Sequence, residues 1–88
     1  MADQPTPIRE RGDLTLESLK SGLREQWQCD VRNGRVYVEL EYRSGIDRFI
    51  VTEHVSHTEE GTFNHSSMSF QTLGAARRAF RHAVNRHR

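Results

Sequence analysis

The dipeptide Asn33-Gly34 stands between two runs that alternate in character, and it constrains the fold more than any other feature of the sequence. Both residues tolerate the positive φ angles of a two-residue type I′ turn, the commonest connection in β-hairpins. If Arg32 pairs with Arg35, the apolar residues of both strands fall on one face. The sequence therefore predicts an antiparallel hairpin with one buried and one exposed face.

The same register assigns a direction to each side chain of the second hairpin strand. Cys29 lies opposite Val38, and Trp27 lies near Leu40, so these residues share the buried face. The residues predicted to point inward are Val36, Val38, Leu40 and Tyr42. The residues predicted to point outward are Tyr37, Glu39, Glu41 and Arg43.

Two more strands follow the hairpin. Ser44-Gly45 is a turn signal before a run rich in β-formers, residues 46–55. A two-residue loop would turn Phe49, Val51 and Val55 inward, whereas a three-residue loop with a bulge would turn Ile46 and Ile50 inward, and we favour the first arrangement. After a turn at residues 58–61, residues 62–70 form a polar strand that we expect at the edge of the sheet.

Helical patterns flank the strands. Thr15 is a candidate N-cap, and Leu16, Leu19, Leu23 and Trp27 follow at spacings that form one apolar stripe. Thr72 is a candidate N-cap for a second helix that runs to about Asn85, with an apolar arc on one side and basic residues on the other. The apolar arc consists of Leu73, Ala76, Ala79, Phe80, Ala83 and Val84.

The combined pattern predicts an α+β fold in the order α-β-β-β-β-α, a four-stranded antiparallel meander with both helices on one face. Residues 1–13 hold both prolines and few large apolar side chains, which predicts a disordered N-terminal arm. Residues 14–88 form the single domain, since a chain of 88 residues is too short for two. No run is apolar enough for a membrane span or a secretory signal, so we expect a cytoplasmic protein without a membrane partner.

The charge of the chain is unevenly distributed. Residues 1–60 hold all twelve acidic residues and eight of the thirteen basic ones, whereas residues 61–88 hold five arginines and no acid. A basic helix can bind phosphates without reading sequence, although many charged helix faces are simply solvated. The candidate nucleic-acid-binding residues are Arg77, Arg78, Arg81, His82 and Arg86.

Signals for catalysis, a metal or a cofactor are weak. His54 and His57 are three residues apart and so face opposite sides of a strand, which argues against a metal ion shared with His65. Cys29 is expected to be a buried, inert thiol, and as the single cysteine it cannot form an internal disulfide. The sequence has no nucleophile elbow and no phosphate-binding glycine loop. We expect no enzyme activity, no metal and no cofactor.

The outward sheet face is the first-ranked candidate site, because both helices are expected on the other side. It combines tyrosine and arginine, which are enriched at protein-binding hot spots, with acids that repel phosphate, and it includes one exposed Ile50. The candidate protein-binding residues are Tyr37, Glu39, Glu41, Arg43, Thr52 and His54.

These features predict a small non-enzymatic binding module, such as an adaptor, a regulator or a phage-type inhibitor, that docks on a protein partner through this face. The first alternative is a nucleic-acid-binding protein that uses the basic C-terminal helix. A small enzyme or metal-binding protein ranks last. The polar edge strand also allows a homodimer, because such a strand can pair with its own copy.

Overall fold

The computed structural model describes residues 9–11, 14–57 and 61–88. Its elements are β1 (Arg9–Arg11), α1 (Leu16–Lys20), β2 (Glu25–Val31), β3 (Gly34–Arg43), β4 (Arg48–His57), β5 (Thr62–Phe70) and α2 (Leu73–His87). The strands form one antiparallel sheet in the order β1-β2-β3-β4-β5, which is a meander. The predicted α-β-β-β-β-α order is confirmed, with the short strand β1 added at one edge.

Both helices cover the same face of the sheet, here called the inner face. Leu19 of α1 and Phe80 of α2 belong to one buried cluster with Val36, Val38 and Leu40 of β3. Burial of these apolar side chains is the main stabilising contribution in a domain of this size. The prediction that both helices lie on one face is therefore confirmed.

The strand β1 lies within the segment predicted to be a disordered arm. Its three residues pair with β2 from Gln26 to Gln28. The remainder of the predicted arm, residues 1–8 and 12–13, lies outside the described residues.

Helix α1 is shorter than the apolar stripe predicted. The N-cap is confirmed, since the Thr15 hydroxyl accepts a hydrogen bond from the Ser18 amide at 3.1 Å. Gly22 follows the helix with a φ of 110°. The Gly22 amide donates a hydrogen bond to the Leu19 carbonyl, and the Leu23 amide donates one to the Ser18 carbonyl. This pattern is a Schellman motif, which ends a helix at a glycine. The stripe therefore does not continue to Trp27, which is buried in β2 instead.

The first hairpin forms as predicted, but its register differs by two residues. Val31 pairs with Gly34, so the loop is Arg32-Asn33 and Cys29 lies opposite Val36. In the described backbone the positive φ angles lie at Gly22, Asp47 and Gly61, which excludes the predicted type I′ turn at Asn33-Gly34. A side chain at Gly34 would collide with the Ser56 carbonyl of β4, so this glycine is needed for close strand approach.

The facing of β4 agrees with the favoured alternative. Phe49 and Val51 are buried in the core, and Val55 packs against it. The predicted two-residue loop is wrong, since Arg43 pairs with Arg48 and the loop has four residues. It ends at Asp47 in the left-handed region, where aspartate is tolerated. Ile50 points to the other face but is only 6% exposed, so the prediction of an exposed isoleucine is wrong.

Strand β5 occupies the edge of the sheet, as predicted, and α2 begins at its predicted cap. The Thr72 hydroxyl accepts a hydrogen bond from the Ala75 amide at 3.2 Å. Ala76, Phe80, Ala83 and Val84 form the buried side of α2, as the wheel indicates. Among the described residues, no helix combines the length and the apolar character needed to cross a membrane.

Candidate functional site

The outer face is the side of the sheet opposite the two described helices. At its centre it carries Gln26 and Gln28 of β2, Tyr37 and Glu39 of β3, and Thr52 and His54 of β4, which the strand register places side by side. All of the predicted protein-binding residues occupy this face, because side chains two residues apart on a strand share a face.

Tyr37 lies at the middle of the outer face and is held from two sides. Its hydroxyl donates a hydrogen bond to Glu39 at 2.7 Å and accepts one from the Gln26 amide nitrogen at 3.1 Å. Burial raises the pKa of Tyr37, and the bond to the Glu39 carboxylate raises it further, to about 12. The phenol is therefore a fixed hydrogen-bond donor at neutral pH.

Two of the predicted acidic contact residues form ion pairs with arginines of the same chain. Arg24, just before β2, lies 3.0 Å from Glu39 and 3.3 Å from Glu41, and Arg43 lies 2.5 Å from the other oxygen of Glu41. Hydrogen bonding to Glu39 raises the pKa of the Arg24 guanidinium. Glu39 is only 8% exposed, whereas the side chains of Arg24 and Arg43 are more than half exposed. The side chains of these two arginines are therefore more exposed than the Glu39 and Glu41 carboxylates.

A histidine pair borders this cluster on the side of β5. His54 is the direct cross-strand neighbour of His65, and their ring centroids are 5.7 Å apart in an edge-to-face arrangement. The Ser67 hydroxyl lies within hydrogen-bond distance of both His65, at 3.3 Å, and Thr52, at 3.2 Å. Thr52 and His54 thus lie in a polar row that continues onto the edge strand.

Within the described ranges, the histidines do not converge with other ligands on a metal site. His57 pairs with Thr62 and is three residues from His54, so the two histidines alternate across the sheet as predicted. In the part of the chain that the structure describes, no three histidine, cysteine or acidic side chains are placed to share an ion. Burial, followed by the negative charge of Asp30, raises the pKa of Cys29, which keeps this thiol protonated.

The predicted phosphate-binding residues of α2 fall into two groups. Arg77 turns inward, where its guanidinium binds both carboxylate oxygens of Glu25 and donates to the Leu14 carbonyl at 2.7 Å. Glu25 is 1% exposed, and the Arg77 side chain is 22% exposed. Arg77 therefore ties α2 to the start of β2.

Arg86 is also engaged by an acid of the sheet. It donates to Glu53 of β4 at 2.6 Å, and the His87 Nε2 lies 2.5 Å from the second Glu53 oxygen. Burial alone raises the pKa of Glu53, but the hydrogen bonds and charges of His87 and Arg86 outweigh it and leave the pKa below the ordinary value. Of the predicted set, Arg78, Arg81 and His82 remain on the exposed side of α2.

Sequence reasoning missed three contributors to the outer face. Arg24, Gln26 and His65 fix the predicted residues in place, and none was singled out as part of the site. The alternation of β2 and β5 was the available signal for Gln26 and His65, because it places both on the outer face. For Arg24, which precedes the strand, no such pattern exists.

Comparisons with protein-family models, with curated proteins and with solved structures found no significant match to this chain.

Proposed function

We propose that this chain is a non-enzymatic binding module that docks on a protein partner through the outer face. The observation that carries the proposal is the fixed cluster around Tyr37, in which Arg24, Gln26 and Glu39 hold one another before any partner arrives. Side chains already held in place lose less conformational entropy on binding. Tyrosine and arginine are also the residues that most often dominate binding energy in protein interfaces.

The charge pattern favours a protein partner over a nucleic acid. The outer face carries paired charges of both signs, including Asp30 with Arg35 at 3.0 Å, which suits a polar protein surface of mixed charge. On α2, Arg77 and Arg86 are engaged by Glu25 and Glu53, which weakens the attraction of that helix for phosphate. Only part of the predicted basic surface remains open for a polyanion.

The experiment is capture of a partner by the tagged chain from a lysate of its source, followed by photo-crosslinking. A photo-reactive amino acid replaces Thr52 on the outer face in one variant and Arg81 on α2 in the other. The proposal predicts a crosslinked protein from position 52 and none from position 81. A crosslink confined to position 81 would contradict the assignment to the outer face.

Substitutions then test whether the same face provides the affinity. Tyr37→Ala and His54→Ala should each reduce recovery of the crosslinked partner at least about tenfold, the effect of a contact worth about 1.4 kcal/mol. The matched control is His82→Ala, an exposed histidine on α2, which should leave recovery unchanged.

A mobility-shift assay with duplex and single-stranded probes separates the nucleic-acid alternative. The alternative predicts that the probes are retarded at low salt and that this retardation is lost when Arg78 and Arg81 become alanine. That result, with no protein crosslink from position 52, would contradict the proposed function and favour nucleic-acid binding. Arg77 is unsuitable for this test, because its substitution also removes the ion pair with Glu25.

A further inference from the structure

Strand β5 presents an open edge. It stands last in the order of the five strands described, with β4 on one side. All nine of its residues pair with β4 in an unbroken register, from Thr62 opposite His57 to Phe70 opposite Phe49. The far edge of the strand is therefore a regular row of backbone donors and acceptors, nine residues long, that can accept another strand.

Nothing in the sequence of β5 blocks such pairing. Edge strands of monomeric proteins usually carry a lysine or another inward charge, a proline or a bulge. Residues 62–70 contain no Asp, Glu, Lys, Arg, Pro or Gly. By contrast, β2, β3 and β4 all carry charged residues. Among the four longer strands described, β5 is the one at an edge of the sheet, and it is also the one that contains no Asp, Glu, Lys or Arg.

We propose that β5 pairs antiparallel with β5 of a second copy of this chain, across a two-fold axis at Ser66. This centre is the register that pairs the whole strand, since Thr62 then lies opposite Phe70 of the other copy, and Ser66 lies opposite Ser66. Since β5 contains no Asp, Glu, Lys or Arg, none of these side chains lies opposite a like charge in this register, and His65 lies opposite Ser67 of the other copy. The two sheets join into one, and the interface is isologous.

The side chains near this edge are consistent with a covered strand. Met68 is 62% exposed, although it lies on the inner face beside Val51, Ala79 and Ala83. These residues line a groove of about 200 Å³ between β5 and α2. In the proposed register Asn64 of the second copy stands opposite Met68 and covers the open side of the groove.

The test is the molar mass of the full chain in solution, measured by sedimentation and by light scattering. The wild-type chain is expected at twice its 10.2 kDa mass, with a dimer fraction that rises with concentration. Ser66→Asp and Ser66→Lys, each at an exposed position, place like charges opposite each other at the axis and should each give a monomer. An equimolar mixture of the two variants should recover the dimer, because the charges are then opposite.

Recovery in the mixture also shows that both variants fold, so loss of the dimer in each alone cannot be attributed to unfolding. The matched control is the same charge pair at an exposed position of α2, Asn85→Asp and Asn85→Lys, which should leave the dimer intact. A wild-type monomer at the highest soluble concentration would overturn the proposal. A dimer that persists in both Ser66 variants would overturn it as well, because the interface would then lie elsewhere. Neither result affects the docking experiments at Tyr37 and His54.

Discussion

Arg77 of α2 and Glu25 of β2 are 52 residues apart in sequence and form an ion pair that joins the helix to the sheet. The pair lies at the junction of helix and sheet, where Glu25 is almost completely buried. A buried charge is retained at low cost only while its partner and its other hydrogen bonds are present. Loss of Arg77 would therefore leave the Glu25 carboxylate buried without its partner. Loss of an exposed arginine of α2 would not have this effect on Glu25.

Arg77→Met is expected to lower the free energy of unfolding by about 3–5 kcal/mol, because it leaves the Glu25 carboxylate buried without its cation. The double variant Glu25→Leu/Arg77→Met should recover most of this loss, since both charges are then removed. Urea unfolding of the three proteins at neutral pH measures the effect. Arg78→Met is the matched control at an exposed neighbour and should change stability by no more than about 0.5 kcal/mol. Equal losses for Arg77→Met and Arg78→Met would show that the pair contributes nothing.

Gly34 provides a second stability prediction, at the place where β3 and β4 approach most closely. Gly34→Ala is expected to cost about 1–3 kcal/mol, because the added methyl group collides with the Ser56 carbonyl and the strands must separate. Gly45→Ala is the matched control, since its Cβ would meet no atom within 4 Å and its φ is not positive. That variant should be neutral or more stable by about 0.4–1 kcal/mol. Thermal unfolding of both variants tests the difference, and a neutral Gly34→Ala would refute the close approach.

The two hairpins show what the sequence could predict. Alternation identified the buried face of β3 and β4 correctly, since Val38, Leu40 and Val51 are all in the core. It did not determine register, because a shift by two residues leaves every side chain on the same face. Both hairpins differ from prediction by such a shift, with loops at residues 32–33 and 44–47.

The candidate site, like the hairpins, could be predicted from the sequence only in part. Strand alternation placed Tyr37 and His54 on one face, but it could not show that Glu39 on that face is buried beneath Arg24. On α2 the helical wheel placed Arg77 among the polar residues, because the wheel gives the direction of Cβ only. A long arginine stem can turn its charge back toward the core, which is how Arg77 reaches Glu25.

Tyr37 should titrate far above the usual range for a tyrosine. Its pKa is raised from the ordinary 10.0 to about 12, so the folded state holds the proton more tightly than the unfolded state. The resulting stabilisation is complete below pH 10.0 and is lost as the pH rises through about 12. An ultraviolet titration of Tyr42→Phe, which leaves Tyr37 as the remaining tyrosine, measures the value directly. The same protein in denaturant supplies the reference, and identical midpoints would show that the phenol is neither buried nor bonded to Glu39.

The cluster of Glu53 with Arg86 and His87 predicts a dependence of stability on acid pH. The pKa of Glu53 is lowered below the ordinary 4.5, so its stabilisation is complete above 4.5 and is lost as the pH falls through the folded value. Glu53→Gln should therefore be less stable than the wild type at neutral pH, by about 1 kcal/mol or less because the Arg86 side chain is about half exposed. In acid the difference should shrink, because both proteins then carry an uncharged side chain at this position. Urea unfolding from neutral to acid pH, with Glu17→Gln as an exposed control on α1, measures the two curves. Parallel curves for Glu53→Gln and the wild type would show that the carboxylate is not held by α2.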